Sequence, residues 1–97
     1  MTEENDALVG QMRKNIEIAY SQIQVNIEVA SNLMKQNIET ISSSMKFLSS
    51  MSGSLKDQAD TQIDKTKNEM LVMADKTKNE MLAAAQRVKD NLSTVGL

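Results

Sequence analysis

The carboxylates of this 97-residue chain recur at a fixed spacing. Glu17, Glu28 and Glu39 each follow an Asn-Ile pair, and they are eleven residues apart. Carboxylate oxygens are the ligands that hard cations prefer. On a helix, successive members of this series lie about 16 Å apart along the axis, because each residue rises about 1.5 Å. One ion cannot span that distance, so the spacing predicts a solvated polar face and no metal site.

Groups for acid–base or nucleophilic chemistry are missing from the sequence. The chain has no histidine and no cysteine, which removes the usual general base and every thiolate reaction. Ser42, Ser43 and Ser44 carry hydroxyl groups, but a serine attacks only when a base activates it, and no base is near in sequence. No glycine-rich phosphate loop occurs. The sequence therefore predicts a protein that is not an enzyme, with no catalytic residue and no cofactor.

The eleven-residue spacing extends along most of the chain. Residues 64–74 read DKTKNEMLVMA, and residues 75–85 read DKTKNEMLAAA. Eleven residues make three turns of about 3.67 residues, which is close to the period of an α-helix. A side chain that occurs once per repeat therefore stays on nearly the same side of the helix. The repeat predicts long amphipathic helices, each with one apolar stripe.

The two halves of the chain carry separate apolar stripes, which we call the predicted seams. In each, apolar residues follow one another at steps of three and four, which is the hendecad pattern of right-handed coiled coils. We predict that the seams mediate self-association through these residues: Met12, Ile16, Ile23, Ile27, Met34, Ile38, Ile41 and Met45 in the first half, and Leu55, Met70, Met73, Met81, Val88 and Leu92 in the second. Ile63 and Ala74 lie beside the second seam.

A serine-rich segment separates the two stripes. Residues 42–54 read SSSMKFLSSMSGS, and Gly53 is suited to the left-handed conformation that ends a helix. Ser54 and Asp57 match a capping box for a second helix. We therefore predict one all-α domain, a long antiparallel hairpin with helices over about 6–47 and 55–94 and a turn over about 48–54. The alternative is one continuous helix of about 90 residues.

Polar and sulfur-containing side chains near the seams have two interpretations each. Asn15, Asn26 and Asn37 precede the seam isoleucines, so they either form hydrogen-bonded layers that set the helix register or lie exposed to solvent. The methionines of the second seam are either core residues or an adaptable surface for partners. We expect the methionines to be core.

Residues 65–80, KTKNEMLVMADKTKNE, resemble the eleven-residue KTK repeats of synucleins. They are also similar to repeats of perilipin-like lipid-droplet coats and of group 3 late-embryogenesis proteins. The resemblance covers about a third of the chain, and it implies an amphipathic helix that binds a lipid surface. The glycine of the synuclein repeat is replaced here by Glu69 and Glu80, which offset the charge of the lysines.

Charge and hydropathy limit the possible partners. The formal net charge is −2, only Tyr20 and Phe47 are aromatic, and no basic block occurs, so the sequence argues against nucleic-acid binding. No run of about 18 apolar residues is present, which predicts no transmembrane span. Residues 49–97 carry seven basic and seven acidic side chains, so attraction to an anionic membrane is expected to be small. No classical signal peptide is recognisable, which leaves a cytoplasmic location or export by another route.

These observations favour a structural protein that associates with itself into a bundle or a filament. A hairpin has only one internal interface, and two wide seams exceed what that interface can cover. The first alternative is a peripheral coat on a lipid or polymer particle, with the seams against its surface. The second is a small helical chaperone or adaptor that shields a partner's helix through its methionines.

Overall fold

The structure, a computed structural model, describes residues 3–94 and contains two long α-helices. Helix α1 spans Glu3–Ser49 and helix α2 spans Lys56–Thr94. They pack side by side as an antiparallel hairpin 79 Å long, 15 Å wide and 9 Å thick between Cα atoms. No strand occurs in the part of the chain that is described. The predicted all-α hairpin is therefore confirmed, although α1 begins three residues before the predicted span and ends two residues after it.

The turn between the helices is tight and is held by the backbone. The N–H groups of Ser50, Met51 and Ser52 donate to carbonyl oxygens at the end of α1, at 2.8–3.1 Å. Gly53 follows with φ of 62°, a conformation that costs a residue with a Cβ atom about 1–2 kcal/mol. A short 3-10 helix, Gly53–Leu55, then leads directly into α2. This turn contains both predicted turn residues, Gly53 and Ser54.

The capping box predicted at the start of α2 is not formed. Ser54 lies inside the 3-10 helix, and α2 begins only at Lys56, so Ser54 is not positioned to cap it. Instead, the carboxylate of Asp60 contacts one residue on each side of the turn. It accepts hydrogen bonds from the Ser49 hydroxyl at the end of α1 and, at 2.6 Å, from the Lys56 ammonium group. A side-chain link between the helices thus closes the turn.

Few side chains are buried between the helices. Among the described residues, the buried hydrophobic side chains are Ile38 (7% exposed) and Ala74 (4% exposed). Ser31, Ser42 and Ser49 are buried beside them, and the Ser31 hydroxyl has no hydrogen-bond partner. Half-buried residues complete the contact: Ile16, Tyr20, Ile27, Ile63, Leu71, Leu82 and Ala85. The inward side of each helix is therefore narrow. It consists of small Ser and Ala side chains together with a few Ile, Leu and Tyr side chains.

The inward-facing residues of α1 and α2 do not belong to one continuous eleven-residue series. Eleven-residue steps from the buried Ser42 lead to Gly53, Asp64 and Asp75, whereas the buried residue of α2 is Ala74, one residue earlier. One residue corresponds to about 100° around a helix. In one unbroken helix the two inward rows would point about 100° apart. The break after Ser49 lets both rows face each other.

Distance measurements between labelled ends test the hairpin directly. The chain has no cysteine, so the double variant Asn15→Cys and Asn91→Cys can be labelled at two defined, exposed positions. We expect a separation comparable with two helix diameters, about 20 Å, because both residues lie at the open end of the hairpin. A continuous helix would place them about 114 Å apart. Dilution with unlabelled protein restricts the measurement to pairs within one chain, and a long intrachain distance would contradict the hairpin.

Candidate interaction surface

Three glutamate–lysine pairs join the helices at regular intervals. Glu17 pairs with Lys89, Glu28 with Lys78 and Glu39 with Lys67, at N···O distances of 3.1, 3.0 and 2.9 Å. Each step of eleven residues forward in α1 is matched by a step of eleven residues backward in α2. The asparagine–isoleucine–glutamate repeats of the first half therefore meet the lysine repeats of the second half in register.

Two lysine–aspartate pairs run beside the first series with the opposite polarity. Lys35 contacts Asp75 at 2.6 Å, and Lys46 contacts Asp64 at 2.7 Å. Both aspartates open a DKTKNE repeat, so each repeat supplies one acidic and one basic partner to α1. A slip of the helices by a few residues would break all five pairs together. Surface ion pairs contribute little one by one, but a matched series specifies one register.

The ion pairs shift the pKa values of several partners. A hydrogen bond from Lys35 lowers the pKa of the Asp75 carboxyl group. Hydrogen bonds from Lys56 and then from Ser49 lower the pKa of Asp60. A hydrogen bond to Asp64 raises the pKa of Lys46, and one to Asp60 raises that of Lys56. In each case the charged form is the one that the contact stabilises.

A tyrosine-centred cluster occupies the open end of the same interface. The Tyr20 hydroxyl donates to the Gln86 side-chain oxygen at 2.7 Å and accepts from the Gln24 amide at 3.3 Å. The Lys89 ammonium group lies 4.8 Å from the centre of the Tyr20 ring, within the range of a cation–π contact. Gln24 and Gln86 occupy the repeat positions of Lys35 and Asp75, so a neutral contact replaces an ion pair here.

On α1, polar and apolar residues flank the inward row on opposite sides. Relative to the buried Ser31, Glu28 is three residues earlier and Lys35 is four residues later, which places both on one side of the helix. Ile27, four residues earlier, and Met34, three residues later, lie on the other side. The ion pairs therefore occupy one edge of the contact, and the apolar residues occupy the other.

Helix α2 has the same division around the buried Ala74. Lys78 is four residues later and makes its ion pair with α1. Met70, four residues earlier, and Thr77, three residues later, lie on the opposite side. Because the ion pairs bring the charged sides together, the apolar sides of the two helices also come together. The hairpin thus has one charged face and one apolar face.

Shallow grooves along the apolar face contain residues of both helices. One groove is lined by Ile16, Ala19, Ile23, Ala85, Val88 and Leu92 together with Asn15, Tyr20 and Lys89. A second is lined by Met34, Ile38, Met70, Met73, Ala74 and Thr77, and a third by Met45, Ile63 and Thr66 among others. Together they follow most of the length of the hairpin. No described residue of the chain covers them.

The predicted seam residues divide between the hairpin contact and this face. Ile16, Ile27 and Ile38 are half-buried or buried against α2, and Met70 is half-buried. The others are exposed: Met12, Ile23, Met34, Ile41, Met45, Leu55, Met73, Met81, Val88 and Leu92. We define the apolar face as these ten residues together with Met70. None of its positions along the repeat, including the intervening alanines and threonines, carries a charge.

The predicted seam of α2 is therefore not the side that meets α1. Ala74 is buried and Ile63 is half-buried at the contact, although both were expected beside the seam. Met73 and Met81 are exposed in the hairpin, so the expectation that the methionines form its core is wrong for these two. With the ion pairs formed, the lysines and Ala74 of α2 face α1, and Met73 and Met81 lie outside the contact.

The asparagines do not connect the two helices of the hairpin. Asn15, Asn26 and Asn37 are exposed, and the first two accept hydrogen bonds from Gln11 and Gln22 within α1. The side chains that do set the register are the charged ones, which sequence reasoning assigned to solvent. Their matching eleven-residue spacing in the two halves was the signal that could have identified them.

Other kinds of site are not found in the described residues. No group of three or more acidic side chains is close enough to hold a metal ion there. Neither α1 nor α2 contains a stretch that is apolar for long enough to cross a bilayer. Searches against protein-family models, curated proteins and solved structures found no match to this chain.

Charge exchange tests the register of the ion pairs. Lys78→Glu places two carboxylates opposite each other, so we expect a lower melting temperature in dilute protein. Exposed pairs contribute about 0.2–1 kcal/mol, and 1 kcal/mol corresponds to about 4–8 °C in a chain of this size. The double variant Lys78→Glu with Glu28→Lys restores an opposite pair and is expected to recover most of the loss.

Lys76→Glu is the control for charge reversal, because Lys76 makes no ion pair with α1. We expect it to change the melting temperature less than Lys78→Glu does. Failure of the double variant to recover stability would contradict the assigned register.

The pKa shifts predict a stability plateau bounded by acid and base. The lowered pKa of Asp75 contributes stability that is complete above its unfolded value of about 3.9 and is lost as pH falls through the folded value. The raised pKa of Lys46 contributes stability below about 10.4 that is lost as pH rises through the folded value. Melting temperatures followed by circular dichroism should fall at both extremes. Asp75→Asn should weaken the acid dependence, and a melting temperature that rises on acidification would contradict this assignment.

Proposed function

We propose that this chain is a non-enzymatic structural subunit that associates with further copies of itself through the apolar face. The observation that carries the proposal is the uncharged strip of Ile, Leu, Val and Met side chains along the hairpin, which nothing in the described chain covers. Contiguous exposed apolar surface of this extent is typical of interaction sites. The opposite face carries the ion pairs and would remain in solvent.

The amount of exposed surface supports association. The hairpin exposes 7239 Å², whereas a compact protein of 10.8 kDa exposes about 5,500 Å². The excess of about 1,700 Å² arises because the molecule is a single layer of two helices with both broad faces open. A standard protein–protein interface removes about 800 Å² from each partner. Contact with another copy would thus reduce the exposed area towards the usual value.

The small interior of the hairpin points in the same direction. Two buried hydrophobic side chains contribute little against the conformational entropy of ordering about 90 residues. A pair of helices of this length needs more apolar burial to be stable, and the apolar face can provide it. We therefore expect folding and association to be coupled, as in obligate oligomers.

The lysine repeats argue against a lipid coat as the main function. Helices that bind anionic lipid use lysines beside the apolar stripe to contact the headgroups. Here Lys67, Lys78 and Lys89 pair with glutamates of α1 on the other side of the hairpin from the apolar face. In this arrangement each lysine is paired with a carboxylate, which weakens its attraction to anionic headgroups, although Lys89 also lines the first groove. Lipid binding and capture of a partner's helix remain the alternative outcomes of the test below.

Two identical substitutions on α2 test the proposal. Val88 lies on the apolar face and is 56% exposed, whereas Val72 lies on the outer side near Glu69 and Lys76 and is 68% exposed. Val88→Glu places a charge in the proposed contact, so we expect smaller species than those of the original chain in sedimentation velocity or light scattering. Val72→Glu is the matched control and is expected to assemble like the original protein.

The experiment is made without lipid, with helix content followed by circular dichroism. A helical oligomer that Val88→Glu reduces to smaller species supports the proposal. A well-folded monomer at all concentrations would exclude it. A chain that becomes helical only when neutral lipid vesicles are added would instead favour the coat.

A further inference from the structure

Over most of the length of α1, every charged side chain forms an ion pair with α2. Between residues 15 and 49 the chain has five charged side chains, and each is paired with α2. These five are Glu17, Glu28, Lys35, Glu39 and Lys46. The remaining circumference of α1 over 35 residues therefore carries no charge.

Helix α2 differs from α1 on its outer side. Lys65, Glu69, Lys76, Glu80 and Arg87 are exposed there and form no ion pair with α1. They recur at the same eleven-residue spacing, so this charged surface extends along the helix. Burying it against an apolar surface would cost the desolvation of each charge. The outer side of α2 is thus suited to solvent, whereas the outer side of α1 can be buried without the desolvation of a charge.

The outer side of α1 carries a second apolar stripe, which we call the ridge. It consists of Ile18, Val25, Val29 and Leu33, which are between 52% and 60% exposed. Their spacings of seven, four and four residues place them on one side of a helix. This side is remote from α2 and is separate from the apolar face. The residues between them on that side are Ser, Asn and Gln.

We infer that the ridge is a second self-association surface and that it packs against the ridge of another copy. This inference rests on the proposed function, because it assumes that the apolar face is already engaged by a neighbouring hairpin. The charged outer side of α2 does not complement the ridge, whereas the ridge of another chain presents the same apolar side chains and buries no charge against it.

Two distinct self-complementary surfaces determine the type of assembly. Each copy contacts one neighbour through the apolar face and a different neighbour through the ridge. Contacts of two kinds that alternate in this way continue from copy to copy, and they form an open filament unless the rotation closes them into a ring. In such an assembly α1 is packed at the apolar face and at the ridge, whereas α2 is packed at the apolar face and keeps its charged outer side in solvent.

Val29→Glu tests the ridge against the same control as before. Val29 is 52% exposed, and its neighbours three and four residues away, Val25, Asn26, Asn32 and Leu33, are uncharged. The added carboxylate is tolerated by the isolated hairpin but would be buried at a ridge contact. We expect Val29→Glu to stop assembly at the pair joined through the apolar face, or to raise the concentration needed for filaments at least about tenfold. Val72→Glu is expected to form filaments like the original protein.

Electron microscopy and sedimentation velocity together separate the outcomes. Filaments from the original chain and from Val72→Glu, with dimers from Val29→Glu, support the ridge. Filaments from Val29→Glu at unchanged concentration overturn it, as do dimers as the largest species of the original chain. Monomers from Val29→Glu, with helix content retained, overturn the assignment of the ridge as a second contact.

A further arm of the experiment uses phosphatidylcholine vesicles. If Val29→Glu abolishes vesicle binding and leaves assembly unchanged, the ridge contacts lipid, and the inference is wrong. If the original chain does not associate at all, the proposed function itself fails. The comparison of Val88→Glu with the original chain tests that function separately from the ridge.

Discussion

The five ion pairs between α1 and α2 are the interaction on which the rest of the structure depends. Any two amphipathic helices of this composition can pack side by side, because apolar contacts have little directional preference. The charged pairs are directional in effect, because only one register and one rotation of each helix satisfies Glu17, Glu28 and Glu39 together with Lys35 and Lys46. Individually weak contacts thus select the arrangement, and packing stabilises it.

The rotation that the ion pairs impose decides which apolar residues remain outside. With Lys67, Lys78 and Lys89 turned towards α1, Ala74 faces inward and Met73 lies in solvent. The same rotation brings Met34 of α1 and Met70 of α2 to one groove. A single layer of two helices has no further element to cover that surface. The exposed apolar face and the charge-free surface of α1 are the features on which our proposal of another copy as the partner rests.

The outer sides of the two helices differ in charge, and this difference bears on the proposed assembly. α2 keeps a charged outer side, at Lys76 and Glu80 for example, whereas α1 has Val25 and Val29 at the corresponding outer side. The exposed residues of the two helices thus differ in their free energy of transfer from water to a buried contact. Charged side chains lose most and apolar ones gain. This difference is the physical basis for the proposal that the outer side of α1 is buried in an assembly and the outer side of α2 is not.

The sequence by itself determined the helices, their approximate ends and the hairpin. Eleven-residue periodicity predicted two amphipathic helices, and the serine-rich segment that contains Gly53 predicted the turn. Both features depend on residues close together in the chain, so they can be recognised without the tertiary structure. The sequence also marked most residues of the apolar face, since Met12, Ile23 and Val88 recur with the helical period.

Only the tertiary structure decided how each stripe is used. Periodicity fixes which residues share a side of one helix, but it does not fix how two helices are rotated towards each other. That rotation depends on contacts between residues far apart in the chain, such as Glu28 with Lys78 or Tyr20 with Gln86. The glutamates expected in solvent therefore lie at the contact, and Met73 and Met81, expected in the core, lie outside it.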